Sequence, residues 1–456
     1  MTGVFPAMTR EFALSARDEI IRLGARLLRT FPTSATIVVE IPAELAPTLR
    51  QLPIVNYVEP VLQLRVAAQD TAWGVKTVGA PTIWTNYNNR GEYATISFLD
   101  SGMDQTHFGV ELPATGNCYY DSIYFTSCFD DLGHGSHVIG IATAQANTSG
   151  MIGVSHVLAR LASFKVCGVG GLGCPDDAIV SALYWLQING TWPRHIISMS
   201  LGGPSVSTEF RQSVTQLYNA GVLLVAAAGN TPNQWNFTGV YEPARLPEVI
   251  AVSGTLENDA FAAFPFLCQT TNNGDFNTSS NSGPDVEISA PFHAQSTWLA
   301  GGFDNLCGTS MSTPVVSATA ALVWSQNIGW SNGQVHNRLV TTAVDLGPSG
   351  RDEQFGYGRV NAAAAAAPLP PAPTVSIVGP SNVRANASCV WQASVSGSPP
   401  FSYYWTKNGG FIGSGSGVTT SFASSGTIAV QVWDTNGSAY ASKSITVTPT
   451  APVCQF

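Results

Sequence analysis

Between residues 94 and 361 the chain alternates short, mainly apolar runs with longer stretches whose apolar residues recur at helical spacing. The runs at 94–99, 161–166, 195–199, 222–228 and 249–252 offer few polar side chains to turn toward solvent. A half-exposed antiparallel strand would alternate polar and apolar positions, so these runs predict parallel strands buried on both faces. Helix-patterned segments such as 177–189 and 209–220 then have to cover both faces. The expected class is α/β, a parallel sheet with helices on both faces.

Different patterns flank this region. Residues 1–67 hold an arginine-bearing, helix-patterned stretch at 17–30, a β-rich run at 35–41, a short helix candidate at 43–52 and a strand at 55–64, which together predict a small α+β unit. After the α/β region, taken as 68–367, comes Pro368-Leu-Pro-Pro-Ala-Pro373, a semi-rigid spacer that marks a domain boundary. From 374 to 456 the helical signal disappears. Short strands at 390–395, 402–405, 428–433 and 444–447, separated by Gly, Ser and Asn turns, predict a β-sandwich with Trp391 and Trp405 in its core.

Composition narrows the function classes. Only 11% of the 456 residues are charged, the net charge is −9 and no basic block occurs, so an electrostatic grip on nucleic acid or anionic lipid is excluded. The longest apolar runs, 222–228 and 362–367, fall far short of the ~20 residues that span a bilayer. No membrane span is expected. The first ten residues lack the basic-then-apolar pattern of a secretory signal, although the rest reads as an exported protein, and the expectation is a signal trimmed or missed. The eight cysteines fall into close couples, Cys118 with Cys128, Cys167 with Cys174, Cys268 with Cys307 and Cys389 with Cys454. None has metal-site or redox CxxC spacing, so sequential disulfides are expected, against an alternative of buried free thiols in an intracellular enzyme.

Three segments carry chemistry. Ile96-Ser-Phe-Leu-Asp100-Ser-Gly102 puts an acid at the carboxyl end of an apolar strand, where open α/β sheets build their sites. Asp131-Leu-Gly-His134-Gly-Ser-His137 puts a histidine between glycines at the mouth of a helix, and Gly308-Thr-Ser310-Met-Ser-Thr-Pro314 puts a serine ahead of a small-residue helix at 315–324. Singly, each has an ordinary structural explanation: a turn, a packed imidazole, a helix cap. Together they supply the parts of nucleophilic catalysis, because a serine hydroxyl needs a base and the imidazole needs a carboxylate to fix its tautomer. The order Asp, His, Ser excludes the α/β-hydrolase arrangement, which runs Ser, acid, His and has Gly where Ser312 stands.

Asp100-Ser-Gly, His134-Gly-Ser-His-Val-Ile-Gly and Gly308-Thr-Ser310-Met-Ser-Thr-Pro resemble, in that order, the three signatures of the subtilisin family of serine endopeptidases. The likeness extends through Ser200-Leu-Gly-Gly203, Ala226-Ala-Ala-Gly-Asn230 and Ser282-Gly-Pro284, over about residues 68–365. It implies a triad of Asp100, His134 and Ser310, with Asn230 as side-chain donor to the oxyanion beside the Ser310 amide. It also implies that Ser200, Leu201 and Gly202 pair with an extended peptide substrate, and that Ala227, Ala228 and Gly229 line the primary specificity pocket. Ser136 stands where the family usually has Thr, Ser312-Thr313 replaces the more usual Ala-Ser, and His137 reads as a packed structural residue.

No cofactor is needed for such chemistry. A structural calcium is the one metal the resemblance implies, through Gln69 and Asn147, although Gly109 stands where a carboxylate ligand is expected, with Glu111 as a substitute. Residues 1–67 resemble the propeptide that chaperones and inhibits these proteases, and 374–456 resemble an immunoglobulin-like or polycystic-kidney-disease-type domain. The implied protein is a secreted, monomeric endopeptidase made as a zymogen, acting on proteins and peptides and bound by its own propeptide. The rival is a non-catalytic binding or adhesion protein on the same scaffold.

Overall fold

The structure, a computed structural model, describes residues 2–3, 20–31, 36–42, 45–53, 55, 58, 72–107, 117–120, 125–146, 150–158, 160–168, 173–189, 192–231, 237, 239–272, 274–369, 372–434, 437–452 and 454. The chain divides into two compact units, Met1–Ala68 and Gln69–Phe456.

In the first unit an antiparallel sheet places Thr36–Glu40 between Thr2–Gly3 and Arg26–Phe31, with a short helix at Ala46–Arg50. Ile20, Val39, Ile41, Leu49, Val55 and Val58 form its core. The helix expected over 17–30 is a correction: only 20–22 are helical among the described residues, and 26–31 form a strand. Gly24, at φ 89°, turns the chain out of the helical path, and the residues beyond it pair with the 36–40 strand. Most of the strand expected at 55–64 lies outside the described residues.

The second unit is built on seven strands: β1 (Thr95–Asp100), β2 (Asn117–Tyr120), β3 (Arg160–Lys165), β4 (His195–Met199), β5 (Leu223–Ala227), β6 (Val249–Thr255) and β7 (Ile288–Pro291). Their order is β7-β6-β5-β4-β1-β3-β2, and every neighbouring pair runs parallel. Successive residues of one strand enter opposite cores. Ile96, Ile196, Leu223 and Val225 pack with the helices His134–Thr143 (α1) and Thr309–Gln326 (α4). Ile197, Leu224 and Ala226 pack with Asp176–Asn189 (α2) and Thr208–Asn219 (α3). Two apolar faces on each strand are what force helices onto both sides.

All eight cysteines are bonded: Cys118 to Cys128, Cys167 to Cys174, Cys268 to Cys307 and Cys389 to Cys454. Residues 374–447 form two sheets, antiparallel except that Asn382–Val383 joins the edge of the second in parallel. One has three strands, Thr374–Val378, Cys389–Ser396 and Gly417–Thr420; the other has five, including Ser402–Lys407, Gly410–Gly413, Gly426–Asp434 and Gly437–Val447. Trp391 and Trp405 are fully buried between them, and the Trp405 indole N–H donates to the Gly415 carbonyl at 2.8 Å. Trp405→Ala is expected to destabilise this sandwich by about 3–5 kcal/mol, the usual cost of deleting a buried Trp. Calorimetry should show the C-terminal sheets melting earlier while peptide hydrolysis is retained.

Candidate active site

β1 is the first strand of the sheet in sequence and lies in its interior, with β3 on one side and β4 on the other. Strand order reverses there, which opens a crevice at the carboxyl ends. Asp100 is the last residue of β1 and is buried. Its Oδ1 accepts the Ser101 N–H at 2.7 Å and lies 2.8 Å from His134 Nδ1.

His134 is the first residue of α1, entered through Gly133 at φ 88°. A Cβ on Gly133 would lie 2.5 Å from the Trp298 ring, so glycine is required there on two counts. The helix start is anchored by Asp130. Its Oδ1 accepts the Gly133 and Leu132 N–H groups and the Ser101 hydroxyl at 2.8, 3.0 and 2.8 Å, and its Oδ2 accepts the Ser136 N–H and hydroxyl, each at 2.7 Å. The Ser101 oxygen in turn accepts the Gly135 N–H at 2.8 Å. One carboxylate therefore ties the turn after Asp100 to the helix carrying His134, where the helix dipole also favours negative charge.

The His134 side chain keeps 26% of its surface exposed. Burial opposes its imidazolium, but the charge and hydrogen bond of Asp100, with a weaker contribution from Asp130, outweigh it and raise the pKa above 6.5. His137, three residues on, behaves oppositely: it is fully buried, and burial holds its pKa down at about 3 despite its bond to the Asp304 carbonyl. It is a neutral packing residue.

Ser310 lies inside the first turn of α4 rather than ahead of the helix, which begins at Thr309, not near 315. The reason is Pro314. Proline reads as a helix stop, but here it lies one turn in, and its missing N–H leaves the carbonyl four residues earlier without a helical partner. That carbonyl is Ser310's own, and the Ser200 hydroxyl donates to it at 2.8 Å. The Ser310 hydroxyl donates to the Ser200 carbonyl at 3.3 Å, so the two residues clasp each other.

Asn230 follows β5, and its Oδ1 accepts the Thr309 N–H at 2.9 Å and the Thr309 hydroxyl at 3.2 Å. With its oxygen engaged, the amide carries Nδ2 past Gly308, where a Cβ would lie 3.2 Å from it. The 200–203 segment is held by Gly203, which exchanges two 2.9 Å backbone bonds with Glu242. The buried Glu242 carboxylate pairs with Arg211 and Arg245. Burial raises its pKa, but those guanidinium bonds and the Val206 N–H outweigh it and hold the pKa below 4.5. Ala227, Ala228 and Gly229 are buried.

The structure thus brings Asp100 to His134, Ser200 to Ser310, and Asn230 to Thr309, the residue before Ser310. Gln69 and Asn147 lie outside the described residues, and among the described residues no group of three or more His, Cys, Asp or Glu side chains is placed to hold a metal ion. Sequence reasoning missed Asp130, Ser101, Thr309 and Glu242. Asp130 left one signal, an aspartate just ahead of a helix start, but Asp131 shares it; only the fold sends Asp131 to the buried Lys165 ammonium at 2.6 Å instead.

The family model described as "Subtilase family" matches residues 91–358, more than half of the chain. The chain belongs to the subtilase family. This subtilase is 33% identical over 356 residues to the alkaline protease of Shouchella clausii, covering 78% of this chain and 85% of that protein. It is 29% identical over 367 residues to subtilisin E of Bacillus subtilis, covering 80% and 90%, and 33% identical over 300 residues to subtilisin DY of Bacillus licheniformis, covering 66% and 100%. It is a serine endopeptidase, and the family's reaction requires no cofactor. Among the described residues no helix is long and apolar enough to cross a membrane.

Proposed function

We propose that Ser310 is the nucleophile, His134 its general base and Asp100 the carboxylate that orients the base. The carrying observation is the 2.8 Å bond from His134 Nδ1 to Asp100 Oδ1, which puts the Nδ1 proton toward the carboxylate and leaves Nε2 as the acceptor. His134 takes the Ser310 proton as the hydroxyl attacks the peptide carbonyl, then passes it to the leaving amine as the acyl-enzyme forms. Water, activated by the same imidazole, releases the acid. Labelling the protein with a fluorophosphonate and mapping the modified peptide tests the assignment: the adduct is expected on Ser310, and an adduct elsewhere refutes it.

Asn230 donates Nδ2–H to the developing oxyanion, alongside the Ser310 N–H. The support is the Thr309 clamp, which selects the amide's orientation before substrate arrives. Asn230→Leu is expected to lower kcat by about 10²–10³-fold with KM nearly unchanged, the size of effect measured for this donor in subtilisin. A KM-dominated loss would place Asn230 in ground-state binding instead. Ser200, Leu201 and Gly202 take the substrate backbone as an added strand, and 227–229 wall the pocket for its side chain.

Residues 1–67 act as a propeptide, cleaved near Ala67 and inhibitory when added back. Its support is the boundary of the compact unit at Ala68 and the resemblance of its sequence. The enzyme is exported, a reading favoured by the four closed disulfides, and acts as a monomer, which rests on resemblance alone. A structural calcium on Gln69 and Asn147 rests on resemblance alone, with Gly109 in place of the principal charged ligand.

A further inference from the structure

The solvent face of the five-stranded C-terminal sheet is unlike an ordinary exposed sheet face. Strand register places its side chains in rows. Tyr440, Gln431 and Tyr404 lie side by side across three strands, and Ser438, Trp433 and Ser402 form the next row. On the other side the row ends in Thr406 and Phe411. The opposite face, with Trp405, Val430 and Val432, fills the core. Four large rings therefore stand in solvent, Tyr440 at 65% exposure, Phe411 at 56%, Tyr404 at 44% and Trp433 at 36%. They form one patch: Tyr404 lies 4.9 Å from Phe411 and 6.5 Å from Trp433, centroid to centroid.

Exposed aromatic clusters of this kind mark binding sites, since solvent faces of antiparallel sheets are ordinarily polar. The chemistry of the patch selects the partner. These rows carry no Lys, Arg, Asp or Glu, so nothing on them recognises a phosphate, a sulfate or an acidic or basic peptide. Nor do they carry the Leu, Ile or Met side chains that anchor an aliphatic protein surface. What they offer is ring faces interleaved with hydroxyl and amide groups from Ser402, Ser438, Thr406 and Gln431. A pyranose ring has the complementary surface, a flat array of C–H bonds on one face and hydroxyls around its edge.

We propose that this face binds a neutral polysaccharide, stacking sugar rings on Tyr404, Trp433 and Tyr440 and holding the enzyme on an insoluble polymer while the catalytic domain works. The site is independent of the triad, so its failure would leave the protease reading untouched.

The test is depletion of the full-length chain, carrying Ser310→Ala to prevent self-digestion, from solution by microcrystalline cellulose, chitin and fibrous elastin. Depletion by at least one polysaccharide is expected, with little change in about 1 M NaCl because no charge pair is involved. Adding Tyr404→Ala, Trp433→Ala and Tyr440→Ala together should weaken that partition by about tenfold or more, three stacked rings being lost. The same three changes should leave the calorimetric unfolding of the C-terminal sheets, as well as hydrolysis of a short soluble peptide by the active enzyme, unchanged, which shows that the sheet bearing the rings still folds. Absence of depletion by either polysaccharide, depletion that survives the triple substitution, or binding to elastin alone overturns the proposal.

Discussion

Ser310→Ala is expected to reduce peptide hydrolysis by about 10⁶-fold, the loss measured for the corresponding change in subtilisin, while the protein stays folded. The argument is local. Alanine is the best helix former, position 310 lies in the first turn of α4, and among the described residues the hydroxyl makes one hydrogen bond, at 3.3 Å to the Ser200 carbonyl. The reciprocal bond, Ser200 hydroxyl to Ser310 carbonyl, uses the backbone and survives. Thermal unfolding should therefore shift little. The same variant tests maturation: wild-type protein should acquire a new amino terminus within a few residues of Ala68, at a rate independent of protein concentration, whereas Ser310→Ala should remain full length. A variant that matures normally in pure solution would refute self-processing, and retained hydrolysis would refute the nucleophile.

Asp100→Asn is the second large effect, about 10⁴-fold in kcat, as found when a triad aspartate is replaced by its amide. An amide presents NH₂ or C=O to His134 Nδ1 and no longer enforces the tautomer that leaves Nε2 as acceptor. The pH profile adds a signature that simple structural damage would not give. In the wild type His134 must lose its proton to work, and its pKa is raised, so kcat/KM should fall on the acid side through a midpoint above 6.5. Without the carboxylate, burial, the largest influence on this imidazole, is opposed only by Asp130, so the residual activity should show its acid limb moved to lower pH. A limb that stays in place would sever His134 from Asp100. The sign for stability is the reverse of that for activity. A raised folded-state pKa contributes stability that is fully present below about 6.5 and is lost as pH rises through the folded value, so the catalytically competent neutral imidazole is the less stabilised form.

Much of this was legible in the chain. Apolar runs such as 222–228 and 195–199 dictate buried parallel strands because each residue, whichever face it takes, finds an apolar core, and that property belongs to the run itself. The three signature segments could be read for a related reason: each concentrates in a few consecutive residues a reactive side chain and the glycine that lets the backbone present it, as Gly133 does for His134. Where sequence reasoning failed, the outcome depended on partners far away in the chain. Residues 26–30 look helical by period and fall in the strand 26–31 because 36–40 offer a ladder and Gly24 interrupts the helix. The helix expected from 315 instead starts at Thr309 and takes in Pro314, because Ser200, 110 residues before Ser310, bonds the carbonyl that proline leaves without a helical partner. The choice of Asp130 over Asp131 as the anchor of His134, the Thr309 clamp that turns Asn230 and the gathering of four exposed rings on one sheet face are likewise set by register and packing. Local sequence determines what each segment can offer; which of those groups meet is decided only when strand order and helix packing close the distances, because hydrogen bonds and ring contacts act over a few ångströms and no local pattern records them.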